Sequence, residues 1–324
     1  MFTIGVTLRV LFWPALFSIM FSCSMVNKVA VKSTAGIIYE GSDELLKEND
    51  YIFFKESAPA NLKFIEGLWA SDRSNKKLLT LLVKGYAAYT FAVLETEAYE
   101  DILNDEQSDK TLRVILNYEK AIKYGYLFLN EIGISKTQFD DKGFPAMLNE
   151  VFESQTSSDD YIALFYFAQA LGSSMNLQRT NVSKMGKLTH IKVLLDWICT
   201  KKPDLENGMC TLFSAVIEAS TPLILGGSKD KAMKQFALAQ KKWPNNLLSR
   251  LSYIQFYLLP MLEEEEYQVE MKKLKILIDK WYNVQLGNDP KDQLNFSGTD
   301  QFNLFNALAM RRYNILKKIE KDLF

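Results

Sequence analysis

The chain has 324 residues, 48% of them hydrophobic and 13% aromatic, which supplies a sizeable core and excludes a disordered chain. Its formal net charge is −1, so the surplus of Lys and Arg that a nucleic-acid partner demands is missing. With His190 as the only histidine, a histidine-based triad or multi-histidine zinc site is very hard to build, and neither metal nor cofactor is expected.

The first residues read unlike the rest. One positive charge, Arg9, precedes VLFWPALFSIMF, which is apolar from Val10 to Phe21 apart from Ser18. That stretch suits the core of a signal peptide better than a bilayer span, which needs about 20 residues. Ser22-Cys23 then leads straight into polar sequence. A small residue followed by Cys here resembles the lipobox of bacterial lipoproteins, although Met20 and Phe21 stand where Leu and a small residue are usual. The resemblance implies a signal peptide over 1–22, acylation of Cys23 and a protein that lies on a membrane without spanning it. An uncleaved anchor and ordinary secretion are the alternatives. Residues 23–36 read as a linker, and 37–324 as one domain.

From residue 37 onward the pattern is helical. Leu62, Ile65, Leu68 and Trp69 share one face over 58–70. The Leu- and Ala-rich run 78–99 carries Gly85-Tyr86-Ala87-Ala88-Tyr89, small and aromatic residues suited to a close helix contact. A further helix spans 110–132, with Tyr118, Ala121, Ile122, Gly125, Phe128 and Leu129 in its apolar pattern. The polar segment 133–159 is predicted as loop. Asp159-Asp160 open a helix, YIALFYFAQALGSSMN, whose aromatics on several sides predict a central, buried position. Helices follow at about 187–200, 205–220, 229–242, 246–258, 264–282 and 300–322, and no stretch sustains strand alternation. The fold class is therefore all-α. Cys199 and Cys210 could pair in an oxidising compartment, but two buried thiols on adjacent helices are the expectation, since sequence does not give their separation.

The stretch 222-PLILGGSKDKAMKQFALAQKKWP-244 poses the functional question. As a phosphate loop it fails: Lys229 follows Ser228, the glycines are adjacent, and no strand precedes them. As the second helix of a tetratricopeptide-like repeat it fits. From Ala232 the required small, bulky, small and Pro positions fall on Ala232, Phe236, Ala239 and Pro244. Two small residues allow close helix approach, Phe236 fills the gap, and Pro244 stops the helix. Ile191, Leu195, Ile198 and Pro203 repeat the spacing one unit earlier with larger side chains. The excess length between the two units lies around STPLILGGS, where Gly226-Gly227 make a sharp turn before a start signal at Ser228 or Asp230.

With those residues in view, the chain resembles the T component of TRAP (tripartite ATP-independent periplasmic) transporters, whose hallmark is a run like L-G-G-D-P-E-K-A-x-x-x-F-x-x-A. Leu225, Gly226, Gly227, Lys231, Ala232, Phe236 and Ala239 match, with Ser228 and Lys229 in place of Asp and Pro. APANLKFIEGLWASDRSNKKLLTLLVKGYAAYTFAVLE looks like the family's first repeat, DDYIALFYFAQALGSSMNL like its central helix and QFNLFNALAMRRYNILKKIE like its ending. The resemblance implies a periplasmic, lipid-anchored, non-catalytic helical-repeat subunit, trimeric, that docks the solute-binding protein of such a transporter and handles a small organic or hydrophobic ligand. It transfers no ligand-contact residue. A repeat lipoprotein that scaffolds envelope assembly without a ligand is the rival reading.

Three other features have plainer readings. Glu263–Glu266 are expected to be a solvated first helical turn rather than a cation site. Asp140-Asp141 and Asp159-Asp160 are expected to cap rather than to catalyse. The aromatics at 161, 165, 166 and 167 are core by default, with a lining role in an apolar tunnel left open.

Overall fold

The computed structural model describes residues 27–155, 157, 160–288 and 299–324; the signal peptide, Cys23, Asp159 and the start of the linker lie outside them. Among the described residues the chain is helical throughout, with no strand. The elements are α1 (27–41), α2 (Tyr51–Ser71), α3 (Lys76–Tyr89), α4 (Asp109–Glu131), α5 (Phe144–Gln155) and α6 (Asp160–Leu177). They continue as α7 (Leu188–Lys201), α8 (Met209–Ser220), α9 (Lys229–Lys242), α10 (Leu247–Tyr253), α11 (Glu264–Gln285) and α12 (Asn303–Ile319).

Local chemistry sets the starts. Asp50 accepts from the N–H groups of Ile52 and Phe53 to open α2, Asn75 accepts from Leu78 to open α3, and Ser108 with Thr111 forms a reciprocal box before α4. Side chains from far along the chain do the same work for α10, where Asn306 accepts from the N–H of Leu247 at 2.9 Å.

Helix α6 is central, as its all-round apolar pattern predicts: it packs against α3, α4, α7 and α8. The closest approaches use glycine. A Cβ on Gly85 would come within 2.5 Å of Leu62, and one on Gly125 within 2.1 Å of the Phe167 ring. Helix α3 is apolar and long enough to cross a membrane once its extension to Glu97 is counted, yet 83% of its 18-residue apolar window is buried inside the fold. Helix α12 packs against the segment that precedes α2, with Asn303 donating to the carbonyl of Lys47 at 3.1 Å.

Four expectations need correction. Residues 27–41 are helical, and Ala35 is buried, so the expected linker over 23–36 is helix in its described part, from residue 27. The segment predicted as loop over 133–159 contains a turn of helix at Lys136–Phe139 and all of α5, where Phe144, Leu148 and Phe152 bury one face at i, i+4, i+8 spacing. The helix expected from 205 begins only at Met209, because Glu206, Asn207 and Gly208 take left-handed backbone angles, and a Cβ on Gly208 would strike Trp243. Cys199 and Cys210 form a disulfide between α7 and α8, with Cα atoms 5.5 Å apart. Antiparallel packing of those two helices supplies the distance that the spacing in sequence could not.

Candidate functional site

The elbow between α8 and α9 spends three N–H groups that a phosphate loop would turn toward a ligand: Leu225 and Gly227 donate to the Pro222 carbonyl at 2.9 and 3.1 Å, and Gly226 to that of Leu223 at 3.0 Å. Gly226 has φ +83°, and a Cβ on Gly227 would come within 1.9 Å of the Thr221 carbonyl oxygen. Ser228 caps α9 by accepting from the Lys231 N–H. Ala232, Phe236 and Ala239 are buried, Pro244 is exposed just beyond the end of α9, and Ile191, Leu195 and Ile198 are buried on α7. Buried Glu218 on α8 ties the corner together, bonding Lys192 of α7 at 3.1 Å and Lys231 of α9 at 2.9 Å, while Lys192 also donates to the Gly226 carbonyl. Burial alone would raise the Glu218 carboxyl, but the two lysines outweigh it and hold it below its ordinary value.

The other predicted features settle simply. Glu264, Glu265 and Glu266 form the first turn of α11. Asp140 ends the short helix Lys136–Phe139, pairs with Lys187 and accepts from the Tyr126 hydroxyl. Asp160 accepts from Ser157 at the start of α6 and pairs with Lys76. His190 is a core side chain whose Nε2 donates to the Asp141 carbonyl at 2.8 Å.

The notable concavity lies elsewhere. A cavity of about 600 Å³, within the range of small-molecule sites, runs among α2, α3, α6, α8 and α12. Its wall is mainly apolar and includes both core residues such as Leu308 and exposed ones such as Phe64, so it reaches from the interior to the surface. The aromatic cluster on α6 divides: Phe165 and Tyr166 line the cavity, whereas Phe167 packs against Gly125 and Tyr161 stacks on Trp197.

One wall carries polar groups that sequence reasoning missed. Arg312 of α12 is 0% exposed and lies behind that wall. It donates to Thr96 Oγ1 at 2.8 Å, to Gln255 Oε1 at 3.0 Å, to the Phe91 carbonyl and to Glu95 at 3.4 Å. Both helices it reaches loosen into a π turn there, at Thr90–Leu94 after α3 and Ile254–Leu258 after α10. Tyr118 donates to the other Glu95 oxygen at 2.6 Å. Burial pushes the Glu95 carboxyl above its ordinary value, with Arg312 and Tyr118 pulling the other way. Glu95, Gln169, Ser173 and Gln255 face the cavity. Gln169 is 6% exposed, and its Oε1 has no protein partner, a deficit worth about 1–3 kcal/mol in a buried amide. At another point on the wall Lys84 pairs with Glu206 at 3.0 Å and Asp43 at 3.4 Å, and Tyr166 donates to Glu206. The only sequence signal for these groups was a lone polar residue inside an apolar run: Gln169 within FYFAQAL and Glu95 after FAVL.

These features define an all-helical protein built around an apolar cavity, with closely packed helices and a glycine elbow. The family model for the TRAP transporter T-component matches residues 47–324, and the chain belongs to that family. Membership makes it an accessory component of a TRAP-type transport system, which works in the bacterial envelope. No curated protein matches the sequence.

Proposed function

We propose that the protein is a non-catalytic subunit that docks the periplasmic solute-binding protein of a TRAP transporter and uses its cavity to hold or pass a small, largely apolar ligand. The observation that carries this reading is the 600 Å³ apolar cavity, lined by helices from both halves of a chain in the T-component family. An apolar wall takes up an apolar molecule because water is released from both surfaces. The ligand-free scaffold is less well supported, since a cavity of this size forgoes packing that a solid core would keep.

In this reading the helices pair as tetratricopeptide-like repeats, with Ala232, Phe236 and Ala239 as one repeat's contact set and Pro244 as its stop. Cys23 carries the lipid that tethers the protein on the periplasmic side of a bacterial membrane, and the working unit is a homotrimer. The test is co-purification with the solute-binding protein of its own transporter, followed by native mass analysis of the pair. A complex, with a co-purifying small molecule released on denaturation, supports the proposal. Failure to bind any such protein would favour the scaffold.

A further inference from the structure

The polar groups on the cavity wall form one connected ridge. Gln169 Nε2 donates to Ser173 Oγ at 3.5 Å, and Ser173 lies beside the Tyr118 hydroxyl. Tyr118 donates to Glu95, Glu95 accepts from Arg312, and Arg312 donates to Gln255. Four of these residues, Gln169, Ser173, Glu95 and Gln255, face the cavity. The carboxylate, the guanidinium, the phenol and the second glutamine all spend polar atoms on one another. Within this ridge only Gln169 keeps a buried amide atom with no protein partner, its Oε1, and because that atom has almost no surface open to a water-sized molecule, a ligand meets it through a turn of the amide.

We infer that the cavity prefers a neutral apolar molecule bearing a hydroxyl group, held by hydrogen bonding to the Gln169 amide, over the corresponding fatty carboxylate. The inference rests on the ligand-holding reading given above. Two arguments carry it. A hydroxyl both donates and accepts, so it satisfies the free amide atom whichever way the amide is turned. Among the described residues the interior also offers a carboxylate no free positive charge. Arg312 sits behind Glu95 with four hydrogen bonds made, so Glu95 is the charged group of the ridge that meets the cavity. Lys84 is already paired with Glu206 and Asp43. A ligand carboxylate would lose its hydration and gain no counter-ion in return. Among the described lining residues, Arg179, exposed at the rim, is the place where a carboxylate could be met instead.

The test is displacement of an apolar naphthylamine dye from the purified protein by dodecanol, dodecane and dodecanoate at neutral pH. Dodecanol is expected to compete more strongly than dodecanoate. Gln169→Leu is expected to weaken dodecanol about tenfold, the equivalent of about 1.4 kcal/mol, while dodecane changes less than about twofold on the same scale. Gln169→Met serves the same comparison if the leucine variant does not fold. Dodecanoate competing as well as dodecanol would overturn the inference and direct attention to Arg179. Equal weakening of dodecanol and dodecane would overturn it as well. If the wild-type protein binds neither the dye nor any of the three competitors, the ligand-holding reading fails and this inference falls with it.

Discussion

Replacing Arg312 by methionine removes the cation from the buried pair while keeping an apolar side chain of similar length. Glu95 then keeps only the Tyr118 hydroxyl as a side-chain partner, and the Phe91 carbonyl in the π turn after α3 loses the guanidinium donor. Thr96 is less affected, because its hydroxyl also donates to the Ala92 carbonyl at 2.7 Å. Breaking a buried ion pair on one side costs about 3–5 kcal/mol. At about 2.1 cal/mol/K of unfolding entropy per residue, a fold of roughly 300 residues loses about 5–8 °C in melting temperature. The loss also has a pH signature. The Glu95 carboxyl already sits above its ordinary value, and without the guanidinium it rises further. A group raised in the folded state contributes stability that is fully present below its unfolded value and is lost as pH rises through the folded one. The Arg312→Met penalty should therefore shrink as pH falls toward that of an ordinary carboxyl group and grow at neutral pH. Adding Glu95→Gln should restore part of the stability lost in Arg312→Met. Thermal melts of the wild type, both single variants and the double variant across that pH range measure this. A loss under about 1 kcal/mol, or one that neither pH nor the second substitution moves, would refute the account of the ridge.

Gly125→Ala should lower stability by about 1–3 kcal/mol, since the added methyl meets the Phe167 ring, whereas Gly67→Ala in α2, where a Cβ has open space, should raise it by up to about 1 kcal/mol. Chemical denaturation of the two variants side by side separates close packing from helix propensity. Glu218, held low by Lys192 and Lys231, contributes stability present above the ordinary carboxylate value and lost as pH falls through its lower folded value. Glu218→Gln should flatten that part of the acid-unfolding curve and loosen the elbow, read as faster hydrogen exchange at Gly226 and Gly227. Opening the Cys199–Cys210 loop, with a sequence separation of 11, by double serine substitution should cost about 3 kcal/mol on the chain-entropy account. Equal melting temperatures with and without reductant would remove the disulfide from that role.

Much of this architecture is local in origin and could be read directly. Helical periodicity, the Ser228 cap, and the glycines at 85 and 226–227 act over a few residues, so the sequence alone determines an all-α chain and marks some of the places where its helices touch; the Asn75 and Ser108 caps and the Gly125 contact came only with the structure. The elbow could be rejected as a phosphate loop for the same reason. Helix α5 escaped because its three buried aromatic and aliphatic positions sit between polar flanks, and their apolar partners come from elsewhere in the chain.

What only the tertiary structure decided is everything that depends on distant residues meeting. Glu95 and Arg312 are separated by 217 positions, and nothing local marks either as one half of a pair. The disulfide needed the antiparallel approach of α7 and α8. Phe165 and Phe167 stand two residues apart with the same chemistry, yet one faces the cavity and the other the core. A cavity is the space that packed helices fail to fill, and that depends on how whole faces fit together; no short-range pattern in a chain encodes it.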